Sequence, residues 1–293
     1  MKTMSKKKTD TIWIYAFLLP TIVIFVVFYL WAILTLVYTS FTKWDGANLP
    51  VFTGIKNYLK LFKADTFKIS LVNLLKWSLL AGTVHVGFGV MIALLLYKKP
   101  HGWKFVRTVF MIPNVISAAA WAMIYKFVFN NDFGILNGII RWFAPEFKVN
   151  WFYQSPYAFW AVTFTWVFYA VIVTLLVLGD LMAIPSDIEE AARIDGASGW
   201  YLTWKINLPL CRNSIGTGVI LSITSRISMY ESIALTTRGG PGNDTMNIHL
   251  IMVNAINDNN HGYANAASVT MLLLGIITML LVYRAFRMNE SVY

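Results

Sequence analysis

Long apolar segments recur along this chain, and they limit its fold more than any other feature of the sequence. A helix needs about 20 mostly apolar residues to cross the roughly 30 Å hydrocarbon core of a bilayer. Hydrophobic residues make up 57% of the 293 residues and charged residues only 13%, a composition typical of multi-span membrane proteins. Six segments are therefore predicted to be transmembrane helices: 12–39, 71–97, 105–129, 157–181, 210–230 and 266–283.

The apolar segments predict an all-α membrane protein. Lipid offers no hydrogen bonds, so a spanning segment satisfies its own backbone by forming a helix. We expect a tail over residues 1–11, a six-span domain over 12–285 and a second tail over 286–293. The first apolar run is longer than the core of a signal peptide and lacks a clear cleavage site, so it should remain as a span. The sole cysteine, Cys211, allows no internal disulfide.

The distribution of Lys and Arg predicts the orientation of the spans. Six spans place both termini on one side of the membrane, and basic residues near span ends resist translocation. Lys and Arg are densest in the N-terminal tail, in the connection between the second and third spans, in the loop between the fourth and fifth spans and at the C-terminal end. Basic residues between Lys56 and Lys68 oppose this trend, but they lie in a longer loop. We expect both termini in the cytoplasm.

The formal charge of +10 raises the possibility of a nucleic-acid partner. No basic patch alternates with exposed aromatic residues, and most of the charge lies at span ends, so membrane topology explains it better. The chain has 12 Trp and 14 Tyr, many at span boundaries, where aromatic side chains favour the lipid headgroups. The expected partner of these residues is membrane lipid, and no nucleic acid is expected.

The sequence contains no recognisable enzyme site. Its histidines, His85, His101, His249 and His261, are scattered and lack the spacing of a metal site on one helix. The glycine-rich stretch 238–242 lacks the order of residues that forms a phosphate-binding loop and is predicted to be a tight external turn. We therefore predict no catalytic residue and no metal ligand. If transport uses ATP, another chain binds the nucleotide and its Mg²⁺.

A polar stretch, residues 185–209, separates two very apolar segments and is called the elbow below. Ser186 and Glu189 have the spacing of a capping box, which predicts that a helix starts at Ser186. Gly196 can adopt the left-handed conformation that ends this helix. An aromatic-rich second helical piece should follow over 200–204, before Pro209 opens the fifth span. On these grounds alone the elbow is either an interfacial loop or a docking element.

The elbow resembles the EAA loop of ABC importer permeases. It has Glu190-Ala191-Ala192, then Gly196 six residues after the glutamate, then Ile206-x-Leu208-Pro209. Other segments resemble the maltose-type, carbohydrate-uptake branch of that family, and they extend the resemblance over essentially the whole chain. These segments are Asp195-Gly196-Ala197, Arg107-Thr108-Val109-Phe110 with Pro113, Asn131-Asp132-Phe133-Gly134, Thr237-Arg238-Gly239-Gly240-Pro241 and Gly262-Tyr263-Ala264.

The resemblance implies a type I ABC importer permease fold in a bacterial or archaeal cell membrane. It also implies three partners: an ATPase dimer, a second and unlike permease subunit, and an extracytoplasmic solute-binding protein. The elbow of such permeases docks in a cleft of the ATPase, with Glu190 making polar contact, Gly196 forming the turn, and Asp195 capping or pairing locally. The implied docking residues are Glu190, Ala191, Ala192, Asp195, Gly196, Ile206, Leu208 and Pro209.

The fifth predicted span carries an unusual concentration of polar residues. Polar groups inside a span are costly and usually face a cavity or another helix. Ser222, Arg226 and Met229 share one helical face. By resemblance to maltose-type permeases, these residues and Ser225 line the sugar path. The alternative is that Arg226 snorkels outward or pairs with Glu231.

The nature of the cargo depends on Arg226. If its guanidinium faces the path, an acidic sugar is an alternative to a neutral oligosaccharide. The elbow identifies the motor and not the cargo, so glycerol phosphate, a polyol or another small hydroxylated solute remains a second interpretation. A six-span receptor or channel is a third, but such a protein has no need of an EAA loop.

Overall fold

We describe the protein from a computed structural model, which places residues 6–289. The chain is mostly helical, with short π-helical segments at Val26–Leu30, Ala81–His85 and Thr203–Asn207 and a 3₁₀ turn at Ile112–Val115. The α-helices are α1 (Lys6–Phe25), α2 (Trp31–Ser40), α3 (Lys56–Lys63), α4 (Asp65–Leu80), α5 (Val86–Tyr97), α6 (Trp103–Met111), α7 (Ala118–Val128), α8 (Ile135–Arg141), α9 (Tyr157–Val167), α10 (Val171–Ala183), α11 (Ser186–Ile194), α12 (Gly199–Leu202), α13 (Leu208–Leu210), α14 (Arg212–Ile227), α15 (Glu231–Ala234), α16 (Ile248–Asn257) and α17 (His261–Ala285).

Four helical stretches between residues 6 and 289 are long and apolar enough to cross a membrane. They are Trp13–Ser40, Asp65–Tyr97, Tyr157–Ala183 and His261–Ala285. Each covers one of the predicted spans. The chain is therefore a multi-span helical protein, as its composition predicts.

The third predicted span is broken rather than straight. Trp103–Val115 and Ala118–Val128 meet at a bend of 107°. Pro113 lies in the 3₁₀ turn before the break, where its ring and missing N–H disfavour a continuous α-helix. The Oγ atom of Ser117 then accepts a hydrogen bond of 3.2 Å from the Ala120 N–H and starts α7. Counting this pair as one span raises the number of candidate spans to five.

The fifth predicted span, 210–230, does not meet the same test of length and composition. Its main helix, α14, has 16 residues and ends at Ile227, before the predicted boundary. It is polar at both ends, with Arg212 and Arg226, and the small residues Gly216 and Gly218 lower its apolar character. The six-span count is therefore not established by apolar helix length alone.

The chain divides into two compact units, and the smaller one contains Met1–Leu61 and Met252–Val269. In this unit β1 (Thr42–Lys43) pairs antiparallel with β2 (Val51–Phe52). Asn57 fastens the hairpin, because its Nδ2 donates to the carbonyls of Ser40 and Thr42 at 2.9 and 2.7 Å. A side chain at Gly262 would lie 2.0 Å from the Thr42 carbonyl oxygen, so only glycine fits there.

The larger unit contains Phe62–Ile251 and Thr270–Tyr293, and its first core is built from aromatic residues. Trp77 is fully buried and stacks on Phe159, with ring centroids 5.1 Å apart. Its indole N–H donates to Oγ1 of Thr163 at 2.9 Å, so the buried polar atom is satisfied. This core joins α4 to α9.

The second core of the larger unit packs α5 and α14 against α10. Both helices approach the same side chain, Val173, through glycine. A Cβ atom built on Gly89 would lie 2.8 Å from the Cβ of Val173, and one on Gly218 would lie 3.3 Å from its Cγ1. In lipid, helices associate through close van der Waals packing, and small residues permit the approach. The two glycines therefore define how α5, α10 and α14 fit together.

Substituting Gly89 tests this packing, and Gly87 on the same helix is a matched control. We expect Gly89→Ala to destabilise the purified protein by about 1–3 kcal/mol, because the new methyl group overpacks a tight contact. A Cβ on Gly87 meets nothing within 4 Å, so Gly87→Ala should be neutral or stabilising by up to about 1 kcal/mol. Denaturant titration in detergent measures both. Equal stability of the two variants would contradict the packing described.

Candidate functional site

The elbow folds as a helix, a sharp turn and a second helical segment. α11 ends at Ile194, and Gly196 follows with φ at +88°. The N–H of Ala197 donates to the Ala192 carbonyl at 2.8 Å, and the N–H of Gly196 donates to the Arg193 carbonyl at 3.0 Å. These two bonds form a Schellman motif, which needs a left-handed residue at the position of Gly196. The sequence predicts this turn correctly.

The first helix of the elbow starts at Ser186, as predicted, but the predicted capping box does not form. Pro185 is the N-cap, Ser186 is already the first helical residue, and no side chain caps the helix. The Ser186 Oγ lies 3.4 Å from a carboxylate oxygen of Asp187 instead. Because Ser186 lies inside the helix and is not its N-cap, Glu189 does not reach back to the helix start and binds other partners.

The carboxylate of Glu189 connects three segments on the side of the protein that is predicted to face the cytoplasm. Its Oε1 accepts hydrogen bonds of 3.0 Å from the Tyr97 hydroxyl and 3.0 Å from Nδ2 of Asn207. Its Oε2 lies 3.6 Å from a guanidinium nitrogen of Arg193. Only 15% of the Glu189 side chain is exposed. The end of α5, the helix α11 and the π-helical segment before α13 are therefore tied to one anionic group.

Glu189 is the residue that sequence reasoning missed. The motif directed attention to its neighbour Glu190, which is exposed. Two adjacent carboxylates on a helix lie about 100° apart around the axis, so one can face the spans while the other faces solvent. The spacing alone predicts that Glu189 and Glu190 face different sides of the helix. The partners of Glu189, Tyr97 and Asn207, are too distant in sequence to be inferred from it.

The predicted docking residues are divided between an open face and a packed face of the elbow. Glu190, Ala191, Asp195, Gly196 and Pro209 are exposed. The remaining three, Ala192, Ile206 and Leu208, are half-buried. The turn and the first residues of the motif thus form one accessible surface.

Large apolar side chains extend the accessible surface of the elbow. Ile194 is 86% exposed and Trp200 is 76% exposed. Trp200 stacks against Trp204 with ring centroids 6.1 Å apart. Exposed apolar area of this kind marks contact with lipid or with another protein.

A polar cavity of about 290 Å³ lies in the larger unit, where the bent third segment meets α9, α14 and α15. Ser225, Arg226 and Met229, three of the four predicted path residues, are in its lining. The fourth, Ser222, is buried and is not in the lining, although its carbonyl accepts from the Ser225 hydroxyl at 2.7 Å. The volume of the cavity is close to the lower end of the range for small-molecule binding sites, about 300 Å³.

The guanidinium of Arg226 is held at the wall of the polar cavity. Its Cζ lies 4.1 Å from the centroid of the Trp166 ring, within the range of a cation–π interaction. Its Nη2 donates to the Ser225 Oγ at 3.0 Å, and its Nη1 lies 3.8 Å from the Met229 sulfur. Arg226 and Glu231 are both placed by the structure, and they form no ion pair. Arg226 and Glu231 thus both line the cavity as separate charges of opposite sign.

Aromatic residues line the cavity together with further polar side chains, among them Asn114, Ser228, Glu231 and Ser232. The Trp121 ring packs on Tyr169 with centroids 5.5 Å apart, and both rings line the space. The indole nitrogen of Trp166 and the hydroxyl of Tyr169 are buried and have no hydrogen-bond partner among residues 6–289. Buried polar atoms normally have partners. A ligand in the cavity would pack against the aromatic rings that line it.

No group of three or more His, Cys, Asp or Glu within the described range is arranged to hold a metal ion. His85 is buried, and its Nδ1 lies 3.1 Å from the Val167 carbonyl and 3.2 Å from the Trp166 carbonyl. This places the histidine in a structural role at the contact between the second and fourth spans.

The elbow, the bent segment and the polar helix α14 define an inner-membrane transport component. Residues 85–288 match the family model described as the binding-protein-dependent transport system inner membrane component, and the chain belongs to this family. The match covers the elbow and the polar cavity.

Curated relatives align over nearly the full length of the chain. The multiple sugar-binding transport system permease protein MsmF of Streptococcus mutans is 30% identical, over 94% of this chain and 96% of its own. The trehalose/maltose transport system permease protein MalF of Thermococcus litoralis is 29% identical, over 92% and 91%. The probable starch degradation products transport system permease protein AmyD of Thermoanaerobacterium thermosulfurigenes is 26% identical, over 97% of both.

Solved structures share the fold. A chain of a bacterial ABC transporter involved in the import of the acidic polysaccharide alginate superposes with a TM-score of 0.82 at 19% identity, covering 98% of this chain and 99% of that one. A second structure, of a bacterial alginate ABC transporter in complex with a periplasmic protein bound to alginate pentasaccharide, gives 0.80 at 20% identity, with 95% of each chain covered.

Removal of the Glu189 carboxylate tests the anchoring of the elbow. Glu189→Ala should lower the free energy of unfolding by about 2 kcal/mol, because hydrogen bonds to a charged group are lost and their donors stay partly buried. Glu190→Ala, at an exposed neighbour, should change it by no more than about 0.5 kcal/mol. Denaturant titration of the detergent-purified variants supplies the comparison.

A double-mutant cycle shows whether the Tyr97 contact carries part of this effect. Tyr97→Phe alone should destabilise the protein, and adding it to Glu189→Ala should cost clearly less than it does in the unmodified chain. Additive losses would mean that the two side chains do not interact, and the anchoring described here would be wrong.

Proposed function

We propose that this chain is the transmembrane permease subunit of an ATP-driven, binding-protein-dependent importer. The observation that carries the proposal is the elbow: its turn and the motif residues Glu190 and Ala191 are exposed, while Glu189 holds its inner face to the spans. An exposed, internally braced loop between two spans suits docking of a separate motor. Membership of the transport family supports the same conclusion.

The proposed topology has six spans with both termini in the cytoplasm. α13 and α14 run almost continuously from Leu208 to Ile227. These 20 residues, of which all but Cys211 are helical, extend about 30 Å, which is the thickness of the hydrocarbon core. The polar side chains of α14 can face the cavity rather than lipid. This explains how a transmembrane helix can lack a continuous run of apolar residues. Together with the bent third segment, this helix brings the count to six.

In the proposed coupling step, the elbow transmits movement of the ATPase to the spans. Glu190 and the turn at Gly196 contact the ATPase, while Glu189 passes the displacement to the ends of two spans through Tyr97 and Asn207. Rigid-body movement of helices is the usual structural form of such a step. ATP and Mg²⁺ belong to the partner subunits, and this chain has no catalytic role.

The proposed cargo is a sugar or oligosaccharide. The three curated relatives described above are named for sugar transport, and the polar cavity combines aromatic rings with hydroxyl, amide and charged side chains. The guanidinium of Arg226 adds an electrostatic preference for acidic sugars to the hydrogen bonding of neutral ones. Glycerol phosphate, a polyol or another small hydroxylated solute is the alternative, since each presents the same hydroxyl groups.

Three partners follow from the proposed function. A second permease subunit, unlike this chain, supplies the other half of the path. Two ATPase subunits bind the elbows, and an extracytoplasmic solute-binding protein delivers the cargo in a bacterial or archaeal cell membrane. Membrane lipid covers the apolar helix surfaces; every described side chain from Trp13 to Thr35, for example, is exposed within the chain.

Charge reversal on the open face of the elbow tests the docking role. Glu190→Lys should reduce substrate uptake by at least about tenfold, because it places the wrong charge at the contact with the ATPase. The variant should insert and melt like the unmodified protein, since Glu190 is exposed and has no partner in the spans. Uptake in cells measures transport, and recovery of the ATPase with the tagged chain measures docking.

Lys205 gives a matched control, because it is also charged and exposed on the elbow but lies outside the motif. Lys205→Glu should leave uptake within about twofold of the unmodified value. Normal uptake by Glu190→Lys, or an equal loss in both variants, would remove the docking role of Glu190.

Neutralising Arg226 tests the proposed cargo preference. Arg226→Gln should reduce uptake of uronic-acid oligosaccharides by about tenfold more than uptake of neutral ones, because only the former lose an opposite charge. The measurement is competition uptake with the two classes of oligosaccharide. Equal effects on both classes would refute the electrostatic argument and leave Arg226 as a hydrogen-bond donor or a structural residue.

A further inference from the structure

A second, basic pocket of about 360 Å³ lies in the larger unit. It is formed where α5 ends, α6 begins and α10 passes alongside. The residues that line it are Leu96, Tyr97, Lys99, Trp103, Arg107, Leu178 and Met182. It shares none of them with the polar cavity, and of these residues only Tyr97 has a role in the transport cycle proposed above.

The two basic side chains of this pocket have no ion-pair partner. Lys99 and Arg107 are exposed, and neither forms an ion pair within residues 6–289. The sequence contains no Asp or Glu between Asp65 and Asp132, and the carboxylate of Glu189, which accepts from Tyr97, is paired with Arg193. Lys98 and Lys104 add positive charge to the same connection. Such a surface attracts an anion rather than a neutral ligand.

The apolar side of the basic pocket limits what kind of anion fits. Leu96 and Leu178 are buried, and Met182 is 64% exposed at the rim. Trp103 is half-buried and packs against the second core of the larger unit, which fixes one wall. A ligand with both an anionic group and an attached hydrocarbon chain matches this combination. Aromatic side chains at this level are typical of the headgroup region.

We propose that the basic pocket binds the phosphodiester headgroup of an anionic phospholipid of the cytoplasmic leaflet, with Lys99 and Arg107 on the phosphate. Basic pockets between spans at the cytoplasmic face are known to hold anionic headgroups in membrane proteins. Arg107 offers several N–H donors to phosphate oxygens, and Lys99 adds a point charge. The acyl chains lie along Met182 and the neighbouring apolar helix surface.

This inference rests on the proposed topology, which puts the connection between α5 and α6 at the cytoplasmic face. It also links lipid to the elbow, because Tyr97 forms one wall of the basic pocket and donates to Glu189 at 3.0 Å. A lipid bound in the basic pocket holds the Tyr97 side chain in position for its hydrogen bond to Glu189.

Native mass spectrometry of the full chain, purified with the subunits that accompany it, tests the site. The probes are phosphatidylglycerol and phosphatidylcholine with identical acyl chains. We expect phosphatidylglycerol to bind more tightly, and Lys99→Asn with Arg107→Gln to weaken its binding roughly 25-fold, the equivalent of about 1 kcal/mol for each cation. Asparagine suits position 99 because Lys99 has φ at +47°, a conformation that Asn tolerates.

The matched control removes the same charge from the same connection but outside the lining. Lys98→Gln with Lys104→Gln should weaken phosphatidylglycerol binding by less than about threefold. Equal weakening in the two double variants would mean general attraction to a charged surface and would overturn the pocket. Unchanged binding in the first double variant, or displacement of the lipid by free glycerol phosphate, would overturn it as well.

A third variant changes shape without changing charge. Met182→Trp should fill the apolar side and lower phosphatidylglycerol binding, and normal binding would contradict the proposed position of the acyl chains. Labelling of His101→Cys by a membrane-impermeant maleimide, compared between intact cells and inside-out vesicles, tests the topology separately. Lipid binding is read without transport, so loss of the importer hypothesis and loss of the lipid site give different results.

Discussion

Close packing of three helices around Val173 is the constraint on which the larger unit depends. Gly89 of α5 and Gly218 of α14 lie against this side chain, at distances that leave no room for a larger residue at Gly89 and little at Gly218. A bilayer provides little hydrophobic driving force between helices, so complementary surfaces must supply the attraction. The elbow joins two of these helices, α10 and α14, and the polar cavity lies beside α14. The packing therefore fixes both functional regions.

The proposed role of the elbow as a bridge depends on its two adjacent carboxylates, which face different surroundings. Glu189 binds Tyr97 and Asn207 of the chain itself, and Glu190 is exposed. A docking loop without an inner anchor would bend when pushed, and one without an outer face would have nothing to engage. The Schellman turn at Gly196 adds stiffness, because backbone hydrogen bonds fix its geometry. The proposed coupling mechanism needs all three features.

Local patterns in the sequence predicted most of the helices and the turn at Gly196, because hydrophobic runs and glycine conformations are properties of short segments. The capping box at Ser186 was wrong, since the spacing S-x-x-E does not reveal that Glu189 finds better partners at distant positions. The bounds of the fifth span were also unreliable, because a helix that lines a cavity loses the apolar pattern. The contact between Arg226 and Trp166 depends on tertiary structure and could not be read from either segment.

Isolation of the assembled complex tests the central claim, that this chain is one subunit of an ATP-driven importer, most directly. The tagged full-length chain is extracted from its native membrane in mild detergent, the proteins that accompany it are identified by mass spectrometry, and ATP hydrolysis is measured on the eluate. The account predicts an ATPase, a second permease subunit and a solute-binding protein, together with hydrolysis. Recovery of the chain alone and without hydrolysis, under conditions that keep a known importer intact, would contradict it and favour a receptor or channel.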